Sequence, residues 1–421
     1  MSTALIVAAT VLMAQGPVEV KVQPHGDGFV LMRGGSPFFI RGAAGSDHLE
    51  LLKASGGNSI RGWGVDDNTK TELDRVHDLG MTMTVGIWLG HKRHGFDYGN
   101  ADQVARQKEA VRTAVERYKS HPAVLMWGLG NEMEMENNTP ELWKAVGDLA
   151  KMVKELDPHH PVMTVVAEIS PEKIRLIQQH APEVDVLGVN SYGGAASLAR
   201  RIKEFGWTKP YVLTEFGPLG PWERPRAPWG AAIEPTSTEK AQMYKAAYEG
   251  AVENHPQSLG SYAFLWGHKQ ETTPTWFGMF LPSGEAVGSV DVMTEKWTGK
   301  APPHLAPTIR EVTSAVDQKA IRPGAEIRAS IVAFDPAGGA LRFHWEVRRE
   351  IGRTGFAGEG EVTPGVVEGL ISATNAPSVR FNAPSDIGAY RLYVYVYNDH
   401  KKAATANIPF EVRRDASTLY P

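Results

Sequence analysis

The chain has 421 residues with a hydrophobic fraction of 42% and a charged fraction of 22%, the balance of a soluble globular protein long enough for two domains. Its formal net charge of −4 and the lack of a basic stripe exclude a polyanion-binding design, so nucleic acid is not an expected partner. With no cysteine, disulfides, thiolate metal sites and a cysteine nucleophile are excluded.

Residues 1–17 carry an 11-residue apolar run, Ala4–Ala14, ahead of Gln15-Gly16-Pro17. That length suits a signal-peptide core and is too short for a membrane span. It predicts a periplasmic or secreted protein, although no basic residue precedes the run. Val18–Arg33 alternates like a hairpin, with Asp27-Gly28 near its turn, and is expected to cap the closed bottom of a barrel.

Eight strand candidates then alternate with amphipathic segments: Phe38–Gly45, Asn58–Gly64, Met81–Gly90, Ala123–Glu132, Val162–Glu168, Val184–Tyr192, Tyr211–Phe216 and Gly260–Gly267. Helix-like stretches include Ala101–Ser120, Pro140–Leu156, Pro171–His180 and Thr238–Asn254. In the first, Val104, Val111 and Val115 fall on one face. Eight strand–helix units within residues 18–300 predict an α/β fold, a (β/α)8 TIM barrel. Residues 301–307 (APPHLAP) form a Pro-rich linker. Beyond it, over 308–414, short alternating strands replace the helical periodicity and predict a smaller all-β sandwich. In Arg391–Tyr397 one face is Leu/Val and the other Arg/Tyr, the pattern of a half-buried strand.

In a parallel barrel the chemistry sits at the C-terminal strand ends. Two apolar runs end there in glutamates, Glu132 (AVLMWGLGNE) and Glu215 (YVLTEFG). Two carboxylates at one mouth are the requirement for cleaving a glycosidic bond. Arg61, Trp88 and His91, Asn131, Asn190 and Tyr192 end other strands and would ring the same mouth. Glu168 ends the fifth strand and is the rival carboxylate, without the flanking Asn or Phe-Gly of the other two. Glu134 and Glu136 read as solvated loop charges or sugar ligands. His91, His94 and Asp97 lack a metal-site spacing, so sugar contact is the better reading; His159-His160 reads as an exposed turn. No cofactor is implied.

The segments FFIRGAAG, GNSIRGWG, HPAVLMWGLGNE and YVLTEFG resemble the clan A retaining glycoside hydrolases, most closely the family 2 barrel with family 5 as neighbour, over residues 18–300. FDPAGGALRFHWEV, residues 334–347, resembles the turn and Trp-bearing strand of PKD- and cadherin-like immunoglobulin domains, which serve as spacers or glycan-binding accessories. The first resemblance implies a double displacement on a β-glycoside, with Glu132 as acid/base and Glu215 as nucleophile. Arg61 and Tyr192 would then stabilise the Glu215 charge, Asn131 would bond the sugar 2-hydroxyl, and Trp266 would floor the reacting subsite. Trp63, Trp88, His91, Asn190, Trp222, Lys269 and Trp276 complete the expected substrate contacts. The expected partner is a carbohydrate, with β-glucan as first guess. The alternatives are a transglycosylase using the same glutamates and a non-catalytic glycan-binding protein.

Overall fold

The computed structural model describes residues 16–351 and 360–416. The apolar run at Ala4–Ala14 lies outside the described residues. A three-stranded antiparallel sheet comes first: β1 (Val20–His25), β2 (Gly28–Arg33) and β3 (Ser36–Phe38). Eight parallel strands come next: β4 (Ile40–Ala44), β5 (Ser59–Arg61), β6 (Thr82–Ile87), β7 (Val124–Leu129), β8 (Val162–Ala167), β9 (Val186–Asn190), β10 (Tyr211–Phe216) and β11 (Ser258–Ala263). They close into a barrel in sequence order, with β11 pairing back to β4. All eight predicted strands are present, most of them shorter than the sequence pattern suggests.

The helices α1 (Leu49–Ala54), α2 (Thr69–Asp78), α3 (Ala101–Tyr118), α4 (Pro140–Leu156), α5 (Pro171–His180), α6 (Leu198–Glu204), α7 (Ser237–Ala251) and α8 (Gly288–Thr298) alternate with the strands. Their starts reflect capping chemistry. Thr139 and Ser170 cap α4 and α5 ahead of a proline in the first turn. Thr236 and Glu239 close a reciprocal capping box on α7. In α3 the cap is Asn100, whose side chain accepts from the Asp102 and Gln103 amides. Val111 and Val115 enter the core there, and Val104 packs against it.

The N-terminal sheet sits beneath the barrel, as the sequence suggests. The Val20 and Phe29 amides bond the carbonyls of His159 and Pro256, residues that lead into β8 and β11. Gly28 makes this approach possible, because a Cβ there would lie 2.0 Å from the Pro256 carbonyl oxygen. His160, expected in an exposed turn, is buried and pairs with Asp157 at 2.7 Å; only His159 remains exposed.

The C-terminal region is an all-β, two-layer unit. One sheet holds β13 (Thr308–Ser314), β15 (Glu326–Phe334) and β17 (Ser378–Asn382). The other holds β12 (Ala286–Val287), β14 (Ala320–Ile321), β16 (Arg342–Arg349), β18 (Gly388–Tyr397) and β19 (Lys402–Val412). Ile309, Ile327, Trp345, Phe381, Leu392, Val394 and Phe410 fill the space between them. The strand β12 precedes the Pro-rich segment, so the second sheet borrows a strand from the barrel side of the expected boundary.

The Arg/Tyr face of β18 does not meet solvent. Tyr393 and Tyr395 pack with Leu281, Val287 and Ala403, and Arg391 is buried, donating to the Ala232 carbonyl at 3.0 Å. Alternation of Arg and Tyr mimics a solvated face because tyrosine and arginine can cover apolar surface while their polar tips find partners. Here Arg391 reaches the barrel at Ala232 while the Tyr395 hydroxyl donates to Glu346 of β16, and both faces of β18 are buried.

Candidate active site

At the C-terminal barrel mouth, β10 delivers Glu215 and the turn after β7 delivers Glu132. Gly130 and Glu132 both adopt left-handed backbone, with φ of 72° and 57°. Such a conformation costs a non-glycine residue of order 1 kcal/mol, a strain found where geometry serves a site.

Glu215 is buried among three donors. Arg61 Nη1 reaches Oε1 at 2.9 Å, Trp63 Nε1 reaches the same oxygen at 2.7 Å, and the Tyr192 hydroxyl reaches Oε2 at 3.0 Å. Burial and the Glu215 charge push the Tyr192 phenol well above its ordinary value, so it stays protonated and donates. This donor set matches an ionised carboxylate.

Glu132 has a poorer setting. Asn190 Nδ2 donates to its Oε1 at 2.7 Å, and Thr214 Oγ1 fixes that amide by donating to Asn190 Oδ1 at 2.8 Å. Burial first, and the Glu215 charge second, raise the Glu132 pKa to about 7. Arg61 Nη2 and Asn190 Nδ2 both donate to Asn131 Oδ1, at 2.6 and 3.1 Å, which leaves the Asn131 amide nitrogen as its donor. One carboxylate thus sits among three donors, and the other is poised to carry a proton.

The remaining expected contacts divide. Trp63 lies with Arg61 5.5 Å from its ring centroid. Trp222 is 44% exposed and meets Tyr192 edge-on at 5.7 Å. Trp88, also 44% exposed, stacks on His91 at 4.6 Å. His91 itself is only 3% exposed, and burial lowers its pKa to about 4, so it backs Trp88 as a neutral ring rather than meeting sugar. Lys269 pairs with Glu271 at 2.7 Å.

Trp266 and Trp276 are not available to a sugar at all, being 0% and 1% exposed. Trp266 packs on Phe280 and on Trp297 of α8, because the chain turns outward after β11 and carries it into the helix layer. Trp276 spends its indole N–H on the Leu219 carbonyl at 3.0 Å. The aromatic beside the site is instead Phe264, directly after β11, whose ring lies 6.1 Å from both Trp63 and Tyr192. Its place immediately after a strand is the sequence signal that marks it, and the larger Trp266 ring two residues on obscures it.

Other carboxylates are accounted for by partners. Glu134 is buried, not solvated, and pairs with Lys173 at 2.8 Å. Glu168 pairs with Arg201 at 2.8 Å and accepts from the Ser191 hydroxyl at 2.6 Å. No cluster of three or more His, Cys, Asp or Glu suited to a metal occurs among the described residues.

Residues 80–219, which include both glutamates, match the family described as "Glycosyl hydrolases family 2, TIM barrel domain". The match lies wholly within the barrel and spans the strands and turns that carry both glutamates. Two relatives named Beta-glucuronidase are also similar in sequence. That of Paenibacillus borealis is 29% identical over 135 residues, 29% of this chain and 21% of that protein. That of Streptococcus agalactiae serotype V is 26% identical over 222 residues, 46% of this chain and 35% of that protein. The matched stretches therefore cover well under two thirds of those relatives.

Among solved structures, a β-D-glucuronidase of Dictyoglomus thermophilum superposes with a TM-score of 0.53 at 19% identity, covering 68% of this chain and 54% of that one. The Bacteroides uniformis β-glucuronidase gives 0.51 at 13% identity, covering 94% and 48%. At these identities the likeness is one of fold. No helix among the described residues is long and apolar enough to cross a membrane.

Proposed function

We propose that the protein is a retaining β-glycosidase working by double displacement. The observation that carries this reading is the division of labour between the two glutamates. Glu215 is surrounded by Arg61, Trp63 and Tyr192 donors, and Glu132 has a pKa raised to about 7. Glu215 attacks the anomeric carbon while Glu132 protonates the departing oxygen. The bond to Glu215 then neutralises its charge, the Glu132 pKa falls, and Glu132 takes a proton from the water that releases the sugar. Arg61 and Tyr192 hold the nucleophile's charge, and Asn131 offers its amide to the 2-hydroxyl, a contact that tightens as positive charge develops on the ring. Exposed Trp88 and Trp222 give ring faces for further sugar units.

The substrate is a β-glycoside. The names of the relatives place β-glucuronides in the first panel, and nothing in them favours the β-glucan guessed from sequence. We read the C-terminal sheets as an immunoglobulin-like sandwich, supported by the buried Trp345 of β16 facing the opposite sheet.

The test uses dinitrophenyl β-glycosides, with the first product anomer followed by NMR and a 2-fluoro glycoside as trap. The expected result is β-product from the wild type, a label on Glu215, and a loss of about 10⁴-fold or more in Glu215→Gln. An α-product, or a label on another carboxylate, overturns the mechanism.

A further inference from the structure

We propose that the Lys269–Glu271 ion pair selects an uncharged hexopyranose beside Glu215 and excludes a uronate. This rests on the β-glycosidase reading above and names the substrate class of that site.

Placement comes first. The barrel order sets β11 next to β10, which bears Glu215, and across the barrel from β7, which leads to Glu132. In a double displacement the nucleophile meets the anomeric carbon of the retained sugar, and the acid meets the leaving oxygen. The retained sugar therefore lies over the β10–β11 side. There the Phe264 ring forms a floor beside Trp63 and Tyr192, two donors to Glu215. Lys269 Nζ stands 5.6 Å from the centroid of that ring, and the Glu271 charge is felt at the Tyr192 hydroxyl. The pair is thus at the floor of the subsite, not out on the rim.

Its chemistry suits hydroxyls. The two side chains are largely buried and joined at 2.7 Å, so an ammonium and a carboxylate lie side by side. Neighbouring sugar hydroxyls can donate to the carboxylate and accept from the ammonium together. The loop is held in place for this. The Glu271 and Thr273 backbones bond each other, and the Thr272 amide donates to Glu361 of the C-terminal unit at 2.7 Å.

Charge decides against a uronate. Arg61 is matched by Glu215 and Lys269 by Glu271, so the floor is neutral before substrate enters. A sugar carboxylate would be a third anion facing two cations that are already paired. In that neutral floor the sugar carboxylate would lose its water without a free cation to replace it, and repulsion from the paired carboxylates is offset only in part by their cationic partners, so binding weakens on the order of 100-fold. The family match ends at residue 219, before this loop, so it carries no information about what the loop recognises.

The experiment measures kcat/KM on nitrophenyl β-glucoside, β-galactoside, β-mannoside and β-glucuronide for wild type, Glu271→Gln, Lys269→Met and Glu215→Gln. The expected wild-type result is at least a 100-fold preference for the best neutral sugar over the glucuronide. Glu271→Gln leaves Lys269 unmatched and moves the ratio tenfold or more toward the glucuronide; Lys269→Met moves it the other way. Glu215-dependent turnover of the glucuronide within tenfold of the best neutral sugar overturns this proposal and leaves the β-glycosidase reading intact. So does a shift of both floor variants in one direction. Silence on all four sugars, with wild type and Glu215→Gln alike, overturns both. Should Glu271→Gln not fold, the wild-type ratio and Lys269→Met still decide.

Discussion

Two glutamates of this chain, Glu132 at the barrel mouth and Glu234 beneath the C-terminal sheets, meet opposite surroundings. Glu234 is joined to Lys240 and accepts from the hydroxyls of Thr273 and Thr275 at 2.6 and 2.8 Å and from Asn407 Nδ2 at 2.6 Å. Although burial works against its charge, Lys240 and Arg391 nearby hold its pKa below the ordinary value. Glu132 has the Asn190 amide as its named donor and Glu215 as a neighbour, and its pKa rises to about 7. Burial is common to both; what differs is how many donors and cations compensate it. The satisfied carboxylate fastens two parts of the molecule, whereas the under-satisfied one becomes a proton store.

The largest effect that sharpens this contrast is expected from Glu132→Gln. With a poor leaving group the rate should fall about 10²–10⁴-fold, whereas a dinitrophenolate, which needs no proton, should leave at close to the normal glycosylation rate. For wild type the poor-leaving-group rate should decline above pH 7, where Glu132 ionises, and that limb should vanish in the variant. Stability should move the other way. A pKa raised in the folded state contributes stability below the ordinary value near 4.5 and loses it as pH rises through 7. At pH 8 the Gln variant should therefore be more stable than wild type by roughly 1–3 kcal/mol, with no such gain at pH 4. Urea unfolding at both pH values reads this directly. Equal rate losses with both leaving groups would remove Glu132 from the acid role.

Arg391→Met probes the other carboxylate environment and should cost about 3–5 kcal/mol, the usual penalty for removing one partner of a buried ion pair. Arg391 Nη2 pairs with Glu350 at 2.7 Å, and Nη1 donates to Asn407 Oδ1 at 2.6 Å, the residue whose amide binds Glu234. Because the Glu234 pKa is lowered, its share of the stability is present above the ordinary carboxylate range and is lost as pH falls from there through the lowered folded-state value. The loss of stability should accompany weaker substrate binding, since Glu234 also grips Thr273 and Thr275 in the loop after β11. A variant as stable as wild type in thermal unfolding would show that the Arg391 contacts do not fasten the C-terminal unit to the barrel.

The barrel was legible in the sequence because each strand is a short apolar run and the helices α3, α4, α5 and α7 each start at a capping side chain, and both signals are local. Glu132 and Glu215 were legible for the same reason, as carboxylates closing strands. Trp266 and Trp276 misled because the sequence shows that an aromatic comes after a strand but not which way the turn sends it. The cover over Arg391 and Tyr393 was hidden for a deeper reason. Whether an alternating strand is half-buried or fully buried depends on a surface some 160 residues earlier, Ala232 and Glu234, with which Arg391 and its partner Asn407 bond. Glu134, too, finds Lys173 only after folding brings α5 beside the turn.

The smallest expected effect is that of Glu168→Gln, and it separates a strand-end carboxylate from a catalytic one. Glu168 resembles Glu132 in two ways: it follows a barrel strand, and its φ of 55° is left-handed like the 57° of Glu132. Its partners differ in kind. Arg201 neutralises it, Ser191 and the Ile169 amide donate to it, and its side chain is 40% exposed, so water screens the remaining charge. Gln retains an oxygen for the Ser191 hydroxyl and loses only a partly exposed ion pair, worth at most about 1 kcal/mol. Because Ser191 stands between Asn190 and Tyr192, a slight displacement there can reach both glutamates, and a decrease of up to roughly threefold in kcat/KM is the expected ceiling, corresponding to less than about 1 kcal/mol. The pH profile should keep its limb near 7, since Glu132 is untouched. A loss as deep as that of Glu132→Gln, or a displaced limb, would mean that backbone strain at a strand end is the better guide to the proton donor than burial beside a second carboxylate.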